Sequence, residues 1–317
     1  MRRSTVRSAM RFAAAAGLLL SVACSSSRPT PTGNTAPDAG LRQVPATGLE
    51  GCLLYTDGHQ TGAVPRQVPE LSGLAASQKH PGIFWGHNDS NNAFELFALD
   101  EKGAVKATLT LTGADPRDIE DVAVGPCAPG GKQTCIFLAD TGDNFERRKE
   151  VRLFRLPEPA AVENATLPVE TLLFTYEDGP HDAESLIVDD RSGQVGVLTK
   201  TRASLGDLYA VEGLKPGATG RARKLGTLRV PDDVDRLATA AALHPSGQRL
   251  LVRTYTRVWE LRRPDAKRLE DFVQAQVVEV PGASQAQAEA VTFLQDGRGY
   301  LLGSEFAGEP LVRVDCR

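Results

Sequence analysis

The sequence predicts an all-β fold, specifically a β-propeller of four-stranded blades, and two observations carry that expectation. Thirty glycines and twenty prolines are spread through most of the 317 residues, which would interrupt helix after helix. A short polar-then-apolar phrase also recurs five times, each copy followed by turn residues and a second apolar run. Recurrence at a period near 50 residues, with four strands per unit, is the pattern of radial sheets packed face to face around a channel.

The first strands of the five units are read at Ser72-Gly73-Leu74-Ala75-Ala76, Glu120-Asp121-Val122-Ala123-Val124, Glu184-Ser185-Leu186-Ile187-Val188, Thr239-Ala240-Ala241-Ala242-Leu243 and Glu289-Ala290-Val291-Thr292-Phe293. Turn signals such as Asp190-Arg191-Ser192-Gly193 and His244-Pro245-Ser246-Gly247 follow. Second strands come next at Ile83-Phe84-Trp85-Gly86, Cys135-Ile136-Phe137-Leu138, Val195-Gly196-Val197-Leu198, Leu250-Leu251-Val252-Arg253 and Tyr300-Leu301-Leu302-Gly303. These are compact apolar runs of the kind a buried strand requires. Alternating third strands are read near Leu96, Val151, Leu208, Val258 and Leu311, and fourth strands at Lys106 to Leu111, Glu170 to Tyr176, Lys224 to Val230 and Gln276 to Val280. The fifth unit runs out of chain after its third strand. Gly51 to Thr56 is therefore expected to supply its outer strand, with Cys52–Cys316 closing the ring. Five blades are favoured, with six or seven as the alternatives if the longest interval, Glu120 to Glu184, hides an extra unit.

The composition is that of a globular chain, 41% hydrophobic and 24% charged. Its net charge of −4 becomes more negative once the arginine-bearing leader is set aside, so nucleic acid is excluded as a partner. In that leader, Arg2, Arg3, Arg7 and Arg11 precede an apolar stretch from Phe12 to Leu20 that is too short to span a bilayer and reads as a secretory signal. Its end, Leu20-Ser21-Val22-Ala23-Cys24 followed by serines, resembles a bacterial lipoprotein box. The resemblance implies a signal peptide over residues 1–23 and diacylation at Cys24. With Ser25 next, it also implies a lipid-anchored protein of the bacterial envelope, at the outer membrane. Residues 24–49 are rich in Ser, Pro, Thr and Gly and read as a disordered tether, leaving the propeller domain at 50–317. Four further cysteines in an oxidising compartment predict two disulfides: Cys127 with Cys135 across a Pro- and Gly-rich turn, and Cys52 with Cys316 bracketing the domain.

In a propeller the first strand of each blade begins, and the second ends, on one rim of the channel. Ser72, Glu120, Glu184, Thr239 and Glu289 are thus expected at equivalent places around one mouth, with Glu70, Asp118 and Asp182 two residues earlier. The second strands are expected to end there with His87-Asn88-Asp89-Ser90, Asp140-Thr141-Gly142-Asp143-Asn144, Lys200-Thr201-Arg202, Arg253-Thr254-Tyr255 and Ser304-Glu305. Crowded carboxylates call for a cation, a proton or a basic partner. Calcium, which takes six to eight oxygen ligands, fits a ligand set of Asn88, Glu120, Asp140, Glu184 and Glu289 better than zinc does. Lys200 and Arg253 are the alternative neutralising groups. The reading favoured by these residues is a monomeric binding propeller, whose acidic mouth holds a cation and recognises a small polar ligand or another envelope protein. The alternative is a metal-dependent hydrolase of lactones, phosphoesters or glycosides. In it Glu120, Glu184 and Glu289 hold the metal, His87 or a carboxylate activates water, and Lys200 and Arg253 steady the developing anion. No GxSxG elbow or HExxH motif occurs.

The phrases Trp85-Gly86-His87-Asn88-Asp89-Ser90, Asp118-Ile119-Glu120-Asp121-Val122-Ala123, Asp140-Thr141-Gly142-Asp143-Asn144 and Asp182-Ala183-Glu184-Ser185-Leu186 resemble those of uncharacterised exported bacterial propeller proteins. More distantly, the architecture is similar to the Tol-system propeller and to the gluconolactonase, paraoxonase and phytase-like propellers. The specific phrases belong to the uncharacterised group, so the resemblance implies a fold and not an activity.

Overall fold

The computed structural model describes Cys52, residues 54–89 and residues 91–317. The leader, Cys24 and the tether lie outside the described residues. Among the described residues the chain is almost entirely β, with 21 strands and a single 3-10 segment, Leu269–Gln274.

The described chain opens with β1 (His59–Ala63), whose pairing partner lies at the far end of the sequence. The first repeat then forms β2 (Leu71–Ala76), β3 (Ile83–Asn88), β4 (Glu95–Asp100) and β5 (Val105–Thr112) as consecutive antiparallel neighbours. The second forms β6 (Ile119–Pro126), β7 (Thr134–Asp140) and β8 (Val151–Pro157), then β9 (Ala165–Pro168) and β10 (Glu170–Tyr176). The third comprises β11 (Ala183–Val188), β12 (Val195–Thr199), β13 (Gly206–Glu212) and β14 (Thr219–Leu228). The fourth comprises β15 (Ala238–Leu243), β16 (Arg249–Thr254), β17 (Val258–Arg262) and β18 (Gln276–Val280). The last runs through β19 (Ala288–Phe293), β20 (Gly299–Ser304) and β21 (Pro310–Asp315), and takes β1 as its fourth strand.

Two departures from the simple repeat have physical causes. The second and third repeats merge into one eight-stranded sheet because their outer strands, β10 and β14, pair in parallel. The long interval between Glu120 and Glu184 includes an extra strand, β9, which adds in parallel to β5 of the preceding repeat. The expected outer strand at Gly51 to Thr56 is corrected: Tyr55 makes only an isolated bridge to Cys316, and the paired strand is His59–Ala63. Cys316 lies beyond the end of β21, so the cysteine segment reaches the sheet only at its tip. Gly62, at a bulge in β1, then brings this strand against the backbone of Lys102, where any Cβ would collide.

The apolar faces pack between consecutive repeats. One cluster sets Trp85 and Leu96 against Ile136 and Phe154, and another sets Phe137 and Phe174 against Val197 and Tyr209. A third joins Ile187 and Leu208 to Val252 and Trp259, and a fourth joins Leu251 and Val258 to Tyr300 and Leu302. The fifth returns to the beginning, packing Ala290 and Leu301 against Leu71, Leu74 and Phe97. The inner strands follow the same order: β2 lies beside β6, β6 beside β11, β11 beside β15, β15 beside β19, and β19 beside β2. This is a propeller-type arrangement of sheets. Both expected disulfides are present, Cys52–Cys316 with Cα atoms 5.1 Å apart and Cys127–Cys135 with 4.8 Å. Among the described residues no helix is long and apolar enough to cross a membrane.

Candidate functional site

Every inner strand carries the same irregularity near its start. The pairing register slips between Leu71 and Gly73, Ile119 and Asp121, Ala183 and Ser185, Ala238 and Ala240, and Ala288 and Ala290. The residues left over are Ser72, Glu120, Glu184, Thr239 and Glu289, the polar openings of the five phrases. A β-bulge adds one residue to one strand and re-aims its side chain. Ser72, Glu120, Glu184 and Glu289 accordingly line one cavity of about 260 Å³, together with Asp89, Asp118, Lys200 and Tyr255. The hydroxyls tie neighbouring repeats together: Ser72 Oγ donates to the Glu120 carbonyl (2.7 Å) and Thr239 Oγ1 to the Ala288 carbonyl (2.8 Å).

The loop after β7 completes one wall. Thr141 Oγ1 donates to the Ala183 carbonyl at 2.7 Å, and the Asp143 carboxylate accepts the backbone N–H groups of Arg147 and Arg148, each at 2.6 Å. Gly142 faces the Glu120 and Asp118 carboxylates so closely that a Cβ there would overlap both. Glycine therefore keeps open the space these two acids share.

The electrostatics are strained by excess acid. Burial raises the Glu120 carboxyl well above its ordinary value, and the charges of Glu184, Asp89, Asp118 and Asp182 push it further. Burial also lifts Glu184 to about 8 and Glu289 to about 7, with Lys200 opposing the shift in both. Lys200 Nζ donates to Glu184 Oε1 at 2.5 Å and to the Tyr255 hydroxyl at 2.7 Å. Burial works against its charge, but Glu184 holds the ammonium above its ordinary value. One lysine faces Asp89, Asp118, Glu120, Glu184, Glu289 and Glu305 around the cavity.

Four of the residues singled out by sequence fall elsewhere. Asp140 is fully buried, but its carboxylate accepts from Arg148 Nη2 (2.8 Å), Arg152 Nε (2.6 Å) and the backbone N–H groups of Arg117 and Asp118 (3.1 Å each). These donors occupy it as a loop anchor, and it does not line the cavity. Asn88 is likewise used locally, its Oδ1 accepting from the Glu70 N–H and its Nδ2 donating to the Gln67 carbonyl. His87 donates from Nδ1 to the Asn88 carbonyl (2.9 Å), and burial lowers its pKa to about 4. Neither His87 nor Arg253 is among the cavity-lining side chains; Arg253 is buried, its Nη2 donates to Gln285, and burial pulls its pKa down to about 10.

Asp89, Asn144, Tyr255 and Glu305, from the segments that follow the second strands, also line the cavity, and among the lining residues Gln287 escaped the sequence reading. Gln287 directly precedes β19 in a loop, where no strand periodicity marks it. A partial signal was present in Asp118-Ile119-Glu120 and Asp182-Ala183-Glu184, which repeat an acid-x-acid step at equivalent positions. The first acid of each step does join the cluster, since carboxylate oxygens of Asp89, Asp118 and Glu120 lie within 4.8 Å of one another, as do those of Glu120, Asp182 and Glu184.

No family model matches the chain, and no curated protein matches it significantly. Among solved structures it is similar to that of U3-55K, at 13% identity and a TM-score of 0.40 over 78% of this chain and 68% of that one. It is also similar to the soluble aldose sugar dehydrogenase of Escherichia coli in its apo form, at 11% identity and a TM-score of 0.45 over 83% of this chain and all of that one.

Proposed function

We propose that the chain is an envelope-tethered binding protein: a five-bladed propeller, closed by its N-terminal strand, whose acidic mouth holds a calcium-class cation and recognises a small polar ligand or an envelope protein. Five inner strands in cyclic order, five inter-repeat apolar clusters and the β1–β21 pairing support the closed ring. A lipid on Cys24 would place the mouth in the envelope, at the end of the Ser- and Pro-rich tether.

The observation that carries the cation reading is the convergence of Glu120, Glu184 and Glu289 from three bulges onto one 260 Å³ cavity with one lysine among its lining residues. Without a cation, such a cluster lowers its own repulsion by retaining protons, as the raised pKa values indicate. A hard divalent ion would replace those protons with oxygen coordination. The hydrolase reading keeps one observation, the Lys200–Tyr255 pair inside the cavity. His87 and Arg253 supply no side chain there.

Calcium in 100-fold excess over its dissociation constant should stabilise the protein by about 2.7 kcal/mol. For a domain of this size that raises the melting temperature by roughly 5–10 °C, and Glu184→Gln should weaken the response. A thermal melt unchanged by calcium, magnesium or chelator would overturn the reading. Turnover of a lactone, phosphomonoester or aryl glycoside that chelation abolishes would move the assignment to the hydrolase.

A further inference from the structure

Two acidic triads meet at this mouth, and they share one residue. Asp89, from the loop after β3, joins Asp118 and Glu120, which flank the start of β6; Glu120 also joins Asp182 and Glu184 at the start of β11. Within each triad the nearest carboxylate oxygens are mutually within 4.8 Å. Ligands on opposite sides of a calcium ion, bound at about 2.3–2.6 Å, are separated by about 4.6–5.2 Å. Each triad is therefore compact enough for a single ion to touch all three of its members.

Glu120 supplies an independent sign of a missing ligand. It is 6% exposed and lines the cavity, yet no side chain or backbone N–H among the described residues donates to its carboxylate or pairs with it. A buried carboxylate in a protein ordinarily collects hydrogen-bond donors or a counter-charge. The neighbouring acids show the contrast, since Asp140 has four donors and Glu184 has Lys200. The site also preserves room beside Glu120, because Gly142 is the one residue type that does not overlap its oxygens.

From this shared geometry we infer that the mouth binds two divalent, oxygen-preferring cations side by side, bridged by the two oxygens of Glu120. Asp89 and Asp118 complete one site, and Asp182 and Glu184 complete the other. The inference rests on the cation reading above and sharpens it from one ion to two. At the second site Lys200 donates to Glu184 Oε1 and Asp182 Oδ1 accepts the Asp143 N–H at 2.8 Å, so an ion there shares these acids with those donors.

Calcium titration of the purified full-length protein by calorimetry, paired with equilibrium dialysis of radioactive calcium at pH 8, tests this directly. Wild type should bind two ions. Asp182→Asn should remove one ion and Asp118→Asn the other, while Glu120→Gln should weaken both by 100-fold or more. Circular dichroism confirms that each variant is folded, and the wild-type count stands without any variant. A single ion in wild type overturns the two-site inference and leaves the cation reading intact, as does Glu120→Gln retaining two ions. No bound ion overturns both.

Discussion

The five inner strands present opposite characters at their two ends. Where they start, each bulges and delivers a polar residue, and the space between them is crowded with carboxylates. Where they finish, the pairing is regular, with Ala76 opposite Phe84, Val124 opposite Ile136, Val188 opposite Val195, Leu243 opposite Leu250 and Phe293 opposite Tyr300. Ala76, Val124, Val188, Leu243 and Phe293 line a second cavity of about 280 Å³, with Gln78, Asp190 and Gln295 from the turns beside them. The strands, neighbours and curvature are shared, so the difference comes from one extra residue per strand. Regular alternation keeps apolar strand side chains at the second cavity, whereas the bulge breaks alternation once and turns a polar residue into the first. Chemistry is concentrated where the ladder is irregular.

The largest way to break this contrast is to remove Asp121, the residue immediately after the second bulge. Its fully buried carboxylate accepts the N–H groups of Val122 and Leu186 at 2.8 Å and of Ala241 at 3.4 Å, linking three inner strands. Asp121→Ala leaves those donors orphaned and should cost about 2–4 kcal/mol in urea unfolding, since each buried unpaired group carries a penalty of about 1–3 kcal/mol. A cost below about 0.5 kcal/mol would show that the link is not structural.

A second variant acts on the acidic end alone. Gly142→Ala places a methyl group against Glu120 and Asp118, and calcium affinity should fall about 100-fold, or about 2.7 kcal/mol. Unchanged affinity would mean that these carboxylates are not the ligands.

Acidity sharpens the comparison further. Glu184 and Glu289 keep protons to about 8 and about 7, whereas both would release them near 4.5 in the unfolded chain. The folded state therefore binds more protons between these limits, and the two groups make the cation-free protein less stable as pH rises from about 5 to 8. Glu289→Gln should flatten that decline by a few degrees in thermal melts at low calcium. Wild-type calcium affinity should rise about tenfold for each pH unit in which one proton is displaced. An affinity independent of pH between 6 and 8 would contradict the assigned protonation. The smallest effect is expected at the apolar end, where Val188→Thr should cost about 1 kcal/mol and leave calcium affinity unchanged.

Much of the fold was legible because burial imposes local patterns. The five phrases such as Glu184-Ser185-Leu186-Ile187-Val188 mark the inner strands, and the fourth strands at Glu170–Tyr176 and Gln276–Val280 appear with the expected bounds. The outer strand of the last repeat was misplaced because His59–Ala63 is mostly polar and half-exposed, and its strand character comes from pairing with β21. The acids Glu120, Glu184 and Glu289 were legible from their equivalent positions. Asp140 was not, because its fate depends on Arg148 and Arg152, which reach it across a loop and a neighbouring strand. Asp89 and Glu305 were legible because they follow second strands that end at this rim, whereas Gln287 was hidden: loop geometry, unlike strand alternation, leaves no periodic trace.

The central claim is that bulge-directed carboxylates form a cation site, and it is tested most directly by anomalous diffraction from crystals of the protein grown with manganese in place of calcium. The account predicts anomalous density between Glu120 and its acidic neighbours Asp118 and Glu184. Well-ordered carboxylates with no anomalous peak among them, at manganese concentrations that saturate a hard-ion site, would contradict it.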